Sequence, residues 1–385
     1  MSVQVETWCQ TDGHADYELF EEFNTWIDEG EIDLELPLLR NLGQIGLSQP
    51  SKAFFAGDRE AYVQALQAYR AGRRREVLSR DHFIECYGED DGAHWFERNE
   101  QRFNQLLECL VAQEVVPFIG AGISVSGGFP TWANHLRQQG RTAGIPPERV
   151  EAWLAQGQYE QIIDHIEQRH GLDIFAQEIR DVFGKRGSIQ DITLLISELF
   201  SDTLITTNYD RLLEHVFDTG DASRIQVING VTAMALPDAE KVTIIKIHGD
   251  FKDPAHCILG KDQYDAAYGE AALDLYRPVP KILARYYSNN NLLFIGCSLR
   301  NDRTLQVFRA TKAAAGDFLF PQHFAIEQAP EQCDDLVVRN SELSRLGITA
   351  IWYPKGQHEK VEAVLRHAKS ELNYMKAQIA RGQLK

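Results

Sequence analysis

Apolar residues follow two regimes along this chain. From Glu114 onward, short runs rich in β-branched residues recur at VVPFIG (115–120), TLITT (203–207), IQVI (225–228), VTIIKI (242–247), LLFIGC (292–297), HFAIE (323–327) and ITAIWY (348–353). Runs of that length and composition read as strands. Helical spacing of apolar residues separates most of them, over 132–139, 159–169, 173–183, 189–200, 210–217, 275–288, 302–315, 331–345 and 359–385. Continuous apolar strands alternating with helices predict an α/β, Rossmann-like fold: a mostly parallel sheet with helices on both faces. The several helices between the first two strands predict a small helical lobe. Residues 1–105 read differently, as an α-helical N-terminal region: apolar residues stand at helical spacing over 17–26, 59–71 and 94–110, with a turn-rich break at 88–92 (GEDDG). Two domains are expected, a helical region at 1–105 and an α/β domain at 106–385.

Composition changes this picture little. The net charge of −17 repels phosphate backbones at long range, so direct nucleic-acid binding is not expected. The charge is uneven, since residues 1–50 hold eleven Asp and Glu against one basic residue, Arg40. A solvated helical surface is the favoured reading over an acidic docking face. Arg73, Arg74, Arg75 and Arg80 make a small basic island, read as a helix end. No apolar run approaches the roughly 18 residues of a membrane span. The N-terminus lacks the basic start and apolar core of a signal peptide, so a cytoplasmic protein is expected. The six cysteines (Cys9, Cys86, Cys109, Cys257, Cys297, Cys333) include no C-x-x-C pair. Neither a disulfide framework nor a four-thiolate zinc site is expected, and no metal is called for.

In such sheets ligands bind beyond the carboxyl ends of the strands. Four strand ends finish in residues the fold alone does not demand. The first is Gly120-Ala121-Gly122-Ile123-Ser124, where glycines permit close backbone approach to a diphosphate. It departs from the dehydrogenase fingerprint, because the third glycine position holds Val125. The second is Thr206-Thr207-Asn208-Tyr209-Asp210; Asn208 and Asp210 could cap a helix, and Asn208 could also point a carboxamide at a ligand. The third is Lys246-Ile247-His248-Gly249-Asp250, in which the glycine permits an irregular turn beside the histidine. The fourth is Gly296-Cys297-Ser298-Leu299, with Asp302 beyond.

In this order the four elements resemble the sirtuin family, and the resemblance spans about residues 110–365. GAGIS stands where that family has its phosphate-binding loop, and TTNYD matches its Thr-x-Asn-x-Asp element. The His-Gly pair matches its catalytic histidine, and GCSL matches its Gly-x-Ser element. The stretch at 351–358 (IWYPKGQH) looks like the end of sirtuin-like domains in bacterial defence proteins. The resemblance implies NAD as substrate. Gly120, Ala121, Gly122 and Ser124 take the diphosphate, and Gly296 and Ser298 the adenosine side, with Thr207 also in the binding set. Asn208 and His248 do the chemistry, with Asp210 in support. His248, near its ordinary pKa of 6.5, accepts a proton from a ribose hydroxyl or water.

The departures matter equally. Deacetylating sirtuins carry a zinc module with two cysteine pairs between the His-Gly and Gly-x-Ser elements, whereas here that stretch holds only Cys257. The Phe-Arg pair that usually follows the glycine loop's proline is missing after Pro130. The expected activity is therefore hydrolysis of the nicotinamide–ribose bond. A non-catalytic NAD or ADP-ribose sensor, and a protein ADP-ribosyltransferase or deacylase, are the alternatives. The family analogy further suggests an NAD-depleting anti-phage effector. It would be a homo-oligomer switched on by a phage-derived trigger or by a helicase-like or ATPase partner.

Overall fold

A computed structural model describes residue 17 and residues 20–29, 49–218, 224–232, 236–270, 272–300, 303–316 and 319–380, apart from the side chains of residues 172, 173 and 175. Most of the acidic first fifty residues, Cys9 and Asp302 lie outside this set. By internal contacts the chain divides into two compact units, residues 1–81 with 370–385, and residues 82–369.

The described part of the first unit is helical. α1 (Glu21–Asp28) is followed by α2 (Pro50–Gly57) and α3 (Arg59–Val77). Asp58 caps α3 by accepting the Ala61 N–H at 3.0 Å. An aromatic core of Phe23, Phe54, Phe55 and Tyr62 joins these helices, with Ile27 and Leu66 filling between the rings. Tyr62 donates its hydroxyl to Asn24, so the one polar group of that cluster is satisfied. The basic island is engaged internally: Arg73 pairs with Glu22 and Glu76, while Arg70 and Arg74 both grip the buried Glu371.

The second unit begins within α4 (Arg80–Tyr87), and α5 (Glu89–Val111) follows. The expected break at 88–92 shrinks to Gly88, at φ +85. Glu89, Asp90 and Asp91 form the first turn of α5, where the helix dipole favours acidic side chains.

All seven strands expected from the sequence are present: β1 (Val115–Ile119), β2 (Thr203–Thr206), β3 (Ile225–Asn229), β4 (Val242–Lys246), β5 (Asn291–Ile295), β6 (His323–Gln328) and β7 (Ile348–Tyr353). They form one parallel sheet in the order β3-β4-β2-β1-β5-β6-β7. Central strands such as NLLFI of β5 are buried throughout, as continuous apolar runs require. The β1–β2 ladder begins at Phe118, past Pro117, which has no N–H to give. The β7 edge is closed by α5. Asn99 exchanges two hydrogen bonds with the Trp352 backbone (2.9 and 2.7 Å), and Arg102 donates to the Ala350 carbonyl at 2.9 Å. Those side chains satisfy backbone groups that an open edge would offer to another strand.

Between β1 and β2 the chain forms α6 (Ala121–Ser126), then α7 (Trp132–Thr142), α8 (Pro147–Ala155), α9 (Tyr159–His170) and α10 (Leu172–Phe183), and returns through α11 (Asp191–Leu199). This is the expected helical lobe, with a core of Leu136, Val150, Ile162, Ile166 and Ile179. Further α-helices among the described residues are α12 (Leu212–Phe217), α13 (Lys261–Tyr268), α14 (Pro278–Asn289), α15 (Arg303–Ala315), α16 (Cys333–Arg345) and α17 (Glu359–Ala380). Among the described residues no helix is long and apolar enough to cross a membrane.

Candidate functional site

The four polar strand ends belong to four contiguous strands, β4, β2, β1 and β5. They end at one level, because Lys246 is in register with Thr206, Thr206 with Ile119, and Ile119 with Ile295. The order reverses between β1 and β5, which is the position where open parallel sheets take ligands.

Two of these ends interlock through glycine. Gly120 donates its N–H to the Ile295 carbonyl at 2.9 Å, and Gly122 donates to the Gly296 carbonyl at 3.0 Å. A Cβ on Gly120 would lie 2.4 Å from the Gly296 oxygen, and one on Gly122 would lie 2.9 Å from it. Gly296 itself sits at φ +68. The glycines at 120, 122 and 296 thus let the β1 and β5 loops touch backbone to backbone.

Asn208 lies beside this junction and is 8% exposed. Its Nδ2 donates to the Gly120 carbonyl at 3.0 Å and to Ser124 Oγ at 2.9 Å. A carbonyl can only accept, so the amide orientation is fixed by this network. Ser124 in turn donates to Asp210 Oδ2 at 2.7 Å, while Asp210 Oδ1 accepts the Leu212 N–H at 2.9 Å. Asp210 therefore holds the turn into α12 and anchors Ser124, while the N-cap position itself is Arg211. The Ser124 hydroxyl, read from sequence as a diphosphate contact, is buried and committed between Asn208 and Asp210. Asn208 Oδ1 is buried with no hydrogen-bond partner. Such an orphaned acceptor is costly unless something fills it.

The backbone of this loop rests on Lys246, which is 1% exposed. Its ammonium reaches the Asp210 carbonyl (2.5 Å), Glu214 Oε1 (2.9 Å), Asp250 Oδ2 (3.0 Å) and the Tyr209 carbonyl (3.2 Å). A buried ammonium is tolerated only with such partners. Sequence reasoning gave Lys246 no role, although a lysine closing a buried β-branched strand is itself a signal.

His248 stands at the end of β4. Gly249 follows at φ +97, and a Cβ there would lie 2.4 Å from the His256 carbonyl, so glycine is obligatory in this turn. The His248 Nε2 lies 3.1 Å from Tyr268 Oη, and its ring meets Tyr264 edge-on at 5.6 Å. Burial pushes its pKa down from 6.5 to about 4, below the ordinary value expected from sequence, so the imidazole is neutral at pH 7. Cys257 donates to the Asp250 carbonyl, and burial pushes its thiol up to about 12. Among the described residues no three His, Cys, Asp or Glu side chains gather as a metal-binding group.

The other predicted contacts are looser. Ala121 starts α6 half-buried, and Thr207 donates its N–H to the Ile119 carbonyl at 3.4 Å. Ser298 has an exposed side chain, while its carbonyl and that of Leu299 accept from Arg339. Leu299 adopts φ +43, a left-handed conformation uncommon for leucine, and Arg339, paired with Glu327, holds that turn.

Fold and site together define a Rossmann-like α/β domain with a polar strand-end site. Residues 202–351 match the family model described as the SIR2-like domain. The match starts after β1, and the fold brings the glycine loop back to it. Relatives include the NAD(+) hydrolase ThsA of Cytobacillus dafuensis, 25% identical over 43% of this chain and 32% of that protein. The proteins of the same name from Enterococcus faecium (26%, covering 47% and 36%) and Bacillus cereus strain MSX-D12 (24%, covering 53% and 41%) are similar to it as well. The chain spans about a third to two fifths of the length of these curated relatives.

Proposed function

We propose that this chain is an NAD hydrolase that cuts the nicotinamide–ribose bond to give nicotinamide and ADP-ribose. The observation that carries the reading is Asn208, a buried carboxamide whose donors are spent inside the protein and whose Oδ1 is left without a donor. A ribose hydroxyl or an attacking water supplies the donor that this oxygen lacks. His248, neutral at pH 7, takes the proton that water loses as it replaces nicotinamide. Ala121, Thr207, Gly296 and Ser298 lie around the remainder of the dinucleotide. Gly120, Gly122, Ser124 and Asp210 serve by fixing the loop that bears Asn208. The name shared by the relatives, NAD(+) hydrolase, supports the same reading.

In this proposal the enzyme is a cytoplasmic anti-phage effector that depletes NAD. It assembles as a homo-oligomer, with residues 1–105 serving assembly or regulation. A phage-derived trigger or a helicase-like or ATPase partner relieves its off state. Purified protein incubated with NAD and resolved by chromatography should yield nicotinamide and ADP-ribose in equal amounts without any acetylated peptide. NAD bound but recovered intact would overturn the hydrolase in favour of a sensor.

A further inference from the structure

The stretch between the His-Gly and Gly-x-Ser elements, which lacks the paired cysteines of a zinc module, forms α13 here and lays two tyrosines against His248. Tyr264 and Tyr268 sit one helical turn apart and stack on each other at 6.0 Å. The helix that carries them is braced. Asp265 takes Arg303 at 2.7 Å and Lys261 at 2.8 Å, while Arg303 also pairs with Glu160 of α9 and lies over the Tyr264 ring. Tyr268 itself is 1% exposed. Its hydroxyl therefore meets His248 from a fixed wall.

We propose that Tyr268 is the positioning residue of His248: its phenol oxygen accepts the Nε2–H, so the imidazole presents its Nδ1 lone pair as the proton acceptor. This rests on the hydrolase reading above. A neutral imidazole has one donor and one acceptor nitrogen, so occupying one fixes the role of the other. Nδ1 has no hydrogen bond to any described residue, whereas Nε2 is engaged at 3.1 Å. The proton balance is simple. A hydroxyl or water gives its proton to Nδ1, the ring becomes imidazolium, Nε2–H stays on the Tyr268 oxygen, and the tyrosine keeps its own proton. The bond to Tyr268 strengthens as the ring gains charge, so it favours the protonated state that the reaction creates.

The ionisable groups packed at this corner are Tyr264 and Tyr268 of α13, together with Tyr209, which feels both of them and Cys257 electrostatically. Burial, rather than a neighbouring charge, depresses His248. The Tyr268 hydroxyl is thus a principal means of stabilising an imidazolium there.

Tyr268→Phe removes the oxygen and keeps the ring, and the test uses the full chain. Long-range proton–nitrogen NMR should find His248 as the Nε2–H tautomer in the wild type, with a mixture of tautomers in the variant. With NAD, kcat should fall about tenfold or more with little change in KM, as expected for loss of a hydrogen bond to a charged group. The acid limb of the rate should move to lower pH, and Tyr268→Phe should cost nothing further in a His248→Ala background. An Nδ1–H tautomer in the wild type, or an equal loss in both backgrounds, would overturn the proposal. A chain that cleaves no NAD but shows a Tyr268-dependent Nε2–H tautomer keeps the positioning and overturns the hydrolase reading instead.

Discussion

Asn208 and His248 follow neighbouring strands whose last residues are in register, yet they are held in opposite ways. Asn208 is locked from several sides by Gly120, Ser124 and, through the loop backbone, Lys246. His248 is half-buried and hangs on one hydroxyl, contributed by a helix from a different part of the chain. The first residue is preorganised by the sheet itself, so its geometry is set once the domain folds. The second depends on α13, whose brace runs through Arg303 to Glu160 in the helical lobe. The lobe also packs on Tyr209, beside Asn208, through Trp132 and Phe183.

The contrast can be broken most severely at Lys246. Lys246→Met leaves Glu214 and Asp250 without their buried cation, which should cost about 3–5 kcal/mol of stability and release the Asn208 loop. Denaturant unfolding checks this, and an unchanged midpoint would show that the loop does not rest on the ammonium. His248→Ala should come next, lowering NAD turnover by about 10²–10⁴-fold while barely moving the melting temperature. A melting loss as large as that of Lys246→Met would erase the distinction between a locked and a hanging residue. Ser124→Ala removes the link between Asn208 and Asp210, and should cut kcat by about tenfold with a stability loss of about 1 kcal/mol. Full activity in that variant would mean that Gly120 alone holds the carboxamide.

The smallest effect concerns pH. Burial keeps His248 neutral down to about 4, so turnover should stay flat as pH falls from 7 and decline only near that value. An inflection at 6.5 would place the ring in open water. Linkage gives the matching sign for stability. The unfolded chain binds protons on His135, His248 and His323 from pH 6.5 downward, while burial holds these rings at about 4, about 4 and about 3 in the fold. Stability should therefore fall as pH drops through this window.

The sheet was legible from sequence because strands buried on both faces are continuous apolar runs, and every one of them lay where such a run occurred. Short helices were not. Those at Pro50–Gly57, Arg80–Tyr87, Ala121–Ser126, Pro147–Ala155 and Lys261–Tyr268 span two or three turns, too few for periodicity to stand out. The N-terminal region was read as ending at 105, whereas the compact units divide at Asp81, and the α5 residues Asn99 and Arg102 serve the β7 edge. Within the site, Asn208 and His248 were visible as polar groups at strand ends. Ser124 and the glycines were visible too, but the packing and anchoring they also do depends on long-range contacts such as Gly122 to Gly296. Lys246 and Tyr268 went unread because each acts through another residue. The spacing of Tyr264 and Tyr268, one helical turn apart after Gly260, is the trace that Tyr268 leaves in the sequence.

The central claim is that the strand-end site around Asn208 cleaves NAD, and nicotinamide release by wild type and Asn208→Ala tests it most directly. The variant loses the donor to Gly120 and Ser124, so about 1–3 kcal/mol of stability should go with it. Both proteins are therefore assayed at a temperature where circular dichroism finds them folded. The account predicts equimolar nicotinamide and ADP-ribose from the wild type and a rate lower by about 10³-fold in the variant. Nicotinamide released by folded Asn208→Ala at the wild-type rate would contradict it.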